Sequence, residues 1–467
     1  MTPAAAPAPA LTADELRDLG HTDGSGATLA RLAAGQHTRR LLLMRVLLDA
    51  IDELDAEGAG TRLGAALAHD HAGLLEATER AAPAAARRVL FYPLTGPWAE
   101  RCVQWLGTGS HPGNGPGAAR DLAHLGSLAV AAAARSGVGF ATRVPVHGGR
   151  ITLPTLGALC CQDPDGSVVD VAGGGDAFTI RAGAGARAEV RRDATGAWRS
   201  RDPRWLPLHT LDGGPRPVLL DDLDPGPFTG GDRRALPPEE RARWSALWHE
   251  ALPLLGLGGA ARSAELALLD CIVPTLDPAA APTGGPPPSG PQTSGAHTSG
   301  TTPTAFGAVM ASTPPGPAQL AAGLAHELQH AKLAAVSELN PLHTAGPERR
   351  HWAPWRPEPR PFHALLHGTY AHLALAGFWQ RLAIALDDPA GRDRAWAGHA
   401  RCLTQVGAVL PTLAGARGLT DAGRVFVGAM AERHARLRDP APPDGHLVRA
   451  AAYVETARTE WLRRHPR

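Results

Sequence analysis

The spacing of apolar residues changes along the chain, and this pattern is the strongest limit on what the sequence can fold into. In residues 12–88 apolar side chains recur three or four positions apart, as Leu43, Leu47 and Ile51 do, which is the spacing of a buried helical face. After Gly137 apolar and polar residues alternate in short segments such as FATRVPV and AFTIRAG. Alternation between glycine and aspartate turns indicates antiparallel strands.

Helical spacing returns at residue 237, so helices and strands are segregated along the chain, which is typical of an α+β fold. The first of these later helices is expected to stop at Pro253, and residues 305–312 are predicted to form an edge strand. We predict an α+β protein with a helical N-terminal region (1–136), an antiparallel β region (137–234) and a mainly helical C-terminal domain (235–467). Within that domain, the proline- and glycine-rich residues 278–303 are predicted to be a mobile loop, because they contain too few apolar side chains to form a core.

The charges of the chain are almost balanced. There are 46 basic and 45 acidic side chains, which give a formal charge of +1. Nucleic acids and anionic membranes attract proteins with excess positive charge, so we expect neither as a partner. The N-terminal sequence has no basic segment followed by an apolar one, so it does not resemble a signal peptide. We therefore expect a cytoplasmic protein, and nothing in the sequence indicates its oligomeric state.

The segment HELQH, residues 326–330, is the clearest chemical signal in the sequence. Residues four apart lie on the same face of a helix, so His326 and His330 can bind one metal ion, with Glu327 close by. No proline interrupts residues 318–340, and the flanking residues are mostly apolar. Two buried imidazoles without partners would be costly, and a metal ion would supply a partner for both. The sequence therefore predicts a metal site in the C-terminal domain.

The third metal ligand is less well determined. The extended HExxHxxGxxH pattern is absent, and the next predicted helix contains no acidic residue between positions 360 and 386. That helix offers His363, His367 and His372, and on a helical wheel His372 lies about 140° from His367, so we expect only one face to meet the metal. Glu338 and Glu348 are the acidic alternatives. The spacing favours a site of three histidines.

Arg356 and Arg360 lie in a proline-stiffened segment, WRPEPRP, between the two histidine-bearing helices. Residues four apart in an extended chain point the same way, so both guanidinium groups can face one cleft. They are candidates for binding a carboxylate beside the metal. The alternative is a structural arginine pair that forms surface salt bridges or stacks on Trp352 and Trp355.

The runs HELQHAKLAAV, WAPWRPEPRP, LLHGTYAHLA and GFWQRL, in this order, resemble the HExxH-type α-ketoglutarate-dependent peptide β-hydroxylases of bacteria. The similarity covers residues 305–382. It implies a site for Fe(II) and α-ketoglutarate, use of O2, and hydroxylation of a side chain in a ribosomally synthesised precursor peptide. It also implies His372 as the third metal ligand, with His367 as the next choice, and Arg356 or Arg360 as the group that binds the keto acid.

Two other functions are consistent with the sequence. The first is a zinc metallopeptidase in which Glu327 acts as general base for a metal-bound water. The second is a peptide-binding protein with a degenerate site. In the hydroxylase, Glu327 would instead accept a hydrogen bond from a ligand imidazole or position the substrate.

Overall fold

The N-terminal part of the chain is helical, as predicted. The structure is a computed structural model that describes residues 10–57, 62–107, 116–182, 186–224, 235–275, 299–347 and 351–465. The first helix begins with a capping box: the Thr12 side chain accepts a hydrogen bond from the Glu15 backbone, and the Glu15 carboxylate accepts one from the Thr12 N–H. The helices are α1 (Ala13–Gly20), α2 (Gly26–Glu57), α3 (Arg62–Ala81), α4 (Pro83–Leu90), α5 (Thr95–Gly107) and α6 (Pro116–Ser136).

The β region that follows forms more than the one antiparallel sheet that the sequence predicts. Its strands are β1 (Phe140–Pro145), β2 (Arg150–Leu153), β3 (Gly157–Cys160), β4 (Val168–Gly174), β5 (Ala177–Ala182), β6 (Ala186–Arg192), β7 (Trp198–Ser200), β8 (Trp205–Pro207), β9 (His209–Leu211) and β10 (Val218–Leu220). One antiparallel sheet has the order β1-β4-β5-β6-β7, and a second has the order β2-β3-β8. Strands β9 and β10 belong to neither of these sheets: they pair with each other, and β10 also pairs with a strand of the C-terminal part.

The C-terminal part combines a mixed sheet with long helices. Its elements are α7 (Pro238–Gly256), α8 (Ala260–Glu265), β11 (Cys271–Pro274), β12 (Ser299–Gly300), β13 (Ala308–Ala311), α9 (Pro317–Leu339), β14 (His351–Ala353), β15 (Arg356–Arg360), α10 (Phe362–Ala385), α11 (Pro389–Ala414), α12 (Asp421–Arg436) and α13 (Asp444–Arg464). The mixed sheet has the order β12-β13-β11-β10-β9, and β10, β11 and β13 are parallel. Strands β14 and β15 form a separate hairpin.

Two predicted details of this part are wrong. Strand β13 is not an edge strand, because the short β12 pairs with it on one side and β11 on the other. Helix α7 does not stop at Pro253 but continues to Gly256. A proline in the last turn removes only its own N–H from the helical hydrogen bonds, so the remaining residues of that turn can still form theirs.

The hydrophobic side chains divide into two large cores that do not follow the order of the chain. Leu16, Leu29 and Leu32 of the first two helices pack with α7, α9, α10 and the mixed sheet. Met44 and Leu47, farther along α2, pack instead with α6 and the two antiparallel sheets. Helix α2 therefore belongs to both cores and links the N-terminal β region to the helices that carry HELQH.

The architecture is α+β, as the sequence predicts, and a little more than half of the chain is helical. No helix within the described ranges is both long and apolar enough to cross a membrane. The predicted mobile loop at 278–303 lies outside the described residues, except for its end from Ser299 onward.

Candidate metal centre

Helix α9 carries His326 and His330 on the side that faces helix α10. The helix is rich in alanine and leucine, and Pro317 lies in its first turn, where the missing N–H has no helical partner to lose. As the four-residue spacing predicts, the two imidazoles meet, and their Nε2 atoms are 3.1 Å apart. His326 is buried and His330 is half-buried.

The distance between these nitrogens fits two ligands of one metal ion. At metal–nitrogen distances of about 2.0–2.1 Å, two ligand nitrogens are about 3.0 Å apart at a right angle and about 3.4 Å apart at a tetrahedral angle. Burial, and then the neighbouring His367 and His372, lower the pKa of His330 to about 3. Burial, and then the neighbouring His330 and His372, also hold the pKa of His326 well below its usual value. Both rings are therefore neutral at pH 7, which is the form that binds metals.

His372, in α10, has the tautomer of a metal ligand. Its Nδ1 lies 2.7 Å from the carbonyl oxygen of Gly368. A carbonyl can only accept, so Nδ1 carries the proton and Nε2 retains its lone pair. The ring is buried, its centroid is 5.5 Å from that of His326, and burial lowers its pKa to about 4. This arrangement favours His372 over the other histidines of α10 as the third ligand.

His367 lies on the other side of His330 from His326. The Nδ1 atoms of His367 and His330 are 3.5 Å apart and their rings are stacked, so His367 contacts the side of His330 that faces away from His326. His363 is exposed. His367 contacts His330 while His372 contacts His326, so both sides of this helix reach the histidine pair of α9. When two helices pack along their length, as α9 and α10 do, side chains on both sides of the line of closest approach can reach the neighbouring helix.

Glu327 faces strand β12 rather than the imidazoles. Its Oε1 accepts a hydrogen bond from the Ser299 hydroxyl at 2.8 Å, and the Thr301 hydroxyl also donates to the carboxylate. The side chain is 1% exposed. Burial raises its pKa to about 7, although both hydroxyls favour the ionised form. A carboxyl group with this pKa exchanges a proton near neutral pH.

Arg356 and Arg360 begin and end strand β15 of the β14–β15 hairpin. The pKa of Arg356 is lowered by burial and then by the positive charge of Arg360. The Nη2 atom of Arg356 is buried and has no hydrogen-bond partner among the described residues. Trp352 lies beside Arg458 and Trp355 stacks on His372, and no contact of either indole with Arg356 or Arg360 is found among the described residues. An anion between the two guanidinium groups would offset the repulsion between their positive charges and would accept a hydrogen bond from Nη2 of Arg356.

Glu338 and Glu348 are the acidic alternatives for the third ligand. Glu338 accepts a hydrogen bond from Gln36 at 2.7 Å and lies 3.7 Å from Arg39, so it is bound to α2. Glu348 lies outside the described residues.

Sequence reasoning missed a buried charge network on the opposite side of α9. Lys332 donates to Glu265 at 2.6 Å and to the backbone carbonyls of Thr22 and Asp23. Glu265 also accepts from Gln329 at 3.2 Å and pairs with Arg262. The available signal was that Lys332 is the only lysine in the chain and lies two residues after HELQH. The network ties α9 to α8 and to the end of α1, and so fixes the helix that carries the histidines.

Within the described ranges, no group of three or more His, Cys, Asp or Glu side chains has the geometry to hold a metal ion. No protein-family model matches the chain, and no curated protein matches it either. The functional assignment therefore depends on the chemistry of the side chains themselves.

Proposed function

We propose that this protein is an Fe(II)- and α-ketoglutarate-dependent hydroxylase that acts on a side chain of a ribosomally synthesised precursor peptide. The observation that carries the proposal is the buried Nη2 of Arg356, which has no hydrogen-bond partner within the described ranges. Arg356 directly follows the tryptophan that stacks on His372. A cationic group of this kind beside an imidazole cluster calls for an anionic ligand. A hydrolase that uses a metal and water has no need of one, whereas an oxygenase that consumes a keto acid does.

His326, His330 and His372 would hold the metal. Two of them already have Nε2 atoms at a ligand–ligand distance, and the third has its proton on Nδ1. Because the three rings do not meet the geometry of a metal site as they lie, the proposal requires His372 to shift toward the α9 pair. Three histidine ligands would leave room on the metal for the keto acid and for O2.

When bound, the iron would supply the redox chemistry that turns the peptide C–H bond, O2 and α-ketoglutarate into a C–OH group, succinate and CO2. Arg356 would bind the distal carboxylate of the keto acid through charge-assisted hydrogen bonds, with Arg360 adding positive charge nearby. The apolar surroundings of the histidines keep them neutral and exclude water. The precursor-peptide class of the substrate rests on the sequence resemblance.

The second candidate is a zinc metallopeptidase, and the pKa of Glu327 favours it. A general base works best when its pKa is near the working pH, and burial raises this one to about 7. Against this reading, the carboxylate is already bound to hydroxyls of residues 299–301 and faces away from the imidazoles.

The two functions differ in their products. The protein, loaded with Fe(II) under nitrogen and then exposed to O2 with α-ketoglutarate and a precursor peptide encoded beside its gene, should form succinate and a peptide heavier by one oxygen atom. Glu327→Gln should retain metal and a measurable share of this activity. A wild-type cleavage product that is lost in Glu327→Gln, with no oxidised peptide in either sample, would assign the site to a peptidase instead.

A further inference from the structure

A cleft of about 820 Å³ lies between helix α3 and the sheet of β1, β4, β5, β6 and β7. Leu67, Asp70 and Leu74 form its helical wall, and residues of β1, β4 and β5 form its floor. Ligand sites in proteins usually have volumes of about 300–1,000 Å³. These elements belong to the core of the N-terminal β region, whereas the imidazoles lie on helices of the other core. The cleft is therefore a second candidate binding site, separate from the histidines.

The cleft reaches the open edge of strand β1. In the described part of the chain β1 pairs with β4 and with no other strand, so one of its edges is unpaired. Successive side chains of a strand point to opposite faces, yet all four residues from Phe140 to Arg143 line the cleft. The cleft therefore follows the edge of β1 as well as the outer face of the sheet. At Arg143 the edge is closed, because the backbone carbonyl accepts a hydrogen bond from Nε2 of His71 at 2.8 Å.

A row of charged side chains crosses the outer face of this sheet. It consists of directly opposite residues on β1, β4, β5 and β6, which are Arg143, Asp170, Arg181 and Arg187. All four are exposed, and within the described residues none of them forms an ion pair. Arg181 faces the like charge of Arg187, an arrangement that destabilises a sheet. Even when Asp70 of the helical wall is included, three arginines outnumber two aspartates, so the cleft and its border favour an acidic partner.

We infer that this cleft binds an extended acidic segment of a polypeptide partner, which lies along the edge of β1 with its carboxylates over the arginine row. Backbone pairing with an open strand edge requires an extended chain. Alternate side chains of that chain point to opposite sides, so one set can meet the guanidinium groups and the other Leu67 and Leu74. A second copy of this protein fits less well, because its arginines would face those of the first. In the proposed hydroxylase the segment would belong to the precursor peptide, and that assignment alone rests on the proposed function.

The test measures binding of two labelled synthetic peptides to the full-length protein by fluorescence anisotropy, with a chelator present. Glutamate alternates with valine in one peptide and lysine alternates with valine in the other, so they differ in charge. The glutamate peptide should bind more tightly, and its affinity should fall as salt rises, because salt screens exposed charges. The double variant Arg143→Gln, Arg181→Gln should weaken its binding by about 2- to 25-fold, because each exposed ion pair contributes a factor of up to about 5.

Two further variants separate this effect from general damage. Asp170→Asn removes the one negative charge of the row and should tighten binding of the glutamate peptide, which a loss of structure would not do. Arg199→Gln removes a guanidinium group of β7, at the other edge of the same sheet, where it lies 2.7 Å from Asp193. This control should leave the affinity unchanged, and urea unfolding of every variant shows that it is folded.

Several results would overturn the inference. Binding of neither peptide, equal binding of both, or tighter binding of the lysine peptide would each do so. An affinity that is unchanged in the double arginine variant, or equally reduced in Arg199→Gln, would show that the row does not hold the peptide. A dimer in sedimentation velocity that the double variant dissociates would assign the cleft to a second copy instead. No metal takes part in these measurements, so their outcome is independent of whether the protein hydroxylates a peptide.

Discussion

The buried carboxyl group of Glu327 should make the stability of the protein depend on pH in a defined window. Burial raises its pKa from 4.5 to about 7. Between these two values the folded state holds a proton that the unfolded state releases, so the free energy of unfolding falls as the pH rises through the window. At 1.36 kcal/mol per pKa unit, ionising this group in the folded state costs about 3 kcal/mol above pH 7.

Glu327→Gln removes this cost. The amide oxygen can still accept the hydrogen bond from Ser299, but the side chain no longer ionises. We expect the variant to match the wild type near pH 4.5 and to exceed it by up to about 3 kcal/mol at pH 8. The measurement is urea unfolding of the metal-free proteins, with a chelator present, at half-unit intervals of pH.

The difference between the two proteins is the informative quantity, because it cancels all other titrating groups. Glu358→Gln removes an exposed carboxylate of the hairpin and controls for the change in net charge. A stability difference between Glu327→Gln and the wild type that stays constant from pH 4.5 to 8 would refute the reasoning, since it would mean that the carboxyl group titrates equally in both states.

Three further outcomes are expected. His330→Ala should lose stoichiometric metal, because it removes one of the two nitrogens at 3.1 Å, and full occupancy by elemental analysis would contradict the site. Arg356→Ala should weaken binding of α-ketoglutarate to the Fe(II) protein by about 10- to 100-fold in anaerobic calorimetry, because charge-assisted hydrogen bonds contribute about 1.5–3 kcal/mol. Arg360→Ala should weaken it by less. The reverse order would assign keto-acid binding to Arg360. Lys332→Met should lower the free energy of unfolding by about 1.5–3 kcal/mol, because Glu265 loses its lysine partner but keeps Arg262, and urea unfolding would measure this loss.

The parts of the fold that could be predicted are those set by local spacing. The i,i+4 relation that brings His326 to His330 is a property of any helix, and the α+β class follows from segregated periodicities. The interior position of β13 could not be predicted from sequence, because its neighbour β12 has only two residues, Ser299 and Gly300, and no alternation of apolar and polar side chains. Strands β10, β11 and β13 are parallel and joined by long connections, so their pairing depends on how the intervening helices pack.

The site could be predicted only as far as its local part extends. The stack of Trp355 on His372 joins residues of a hairpin and a helix, and the pair of Glu265 with Lys332 spans 67 positions. Both contacts depend on how α9 packs against its neighbours, and the pattern of a short stretch of sequence does not predict this packing. The choice among the histidines of α10 required a hydrogen bond to a backbone carbonyl, and residue spacing does not reveal it.

The burial of Lys332 has a practical consequence for work on this protein. It is the only lysine in the chain, and its side chain is fully enclosed and ion-paired. Amine-reactive dyes and crosslinkers therefore have no exposed lysine side chain to modify in the folded protein. Acylation of this one position would require α9 to separate from α8 and from the end of α1. Mass-spectrometric detection of that modification would thus report local opening of the helix that carries HELQH, without any engineered probe.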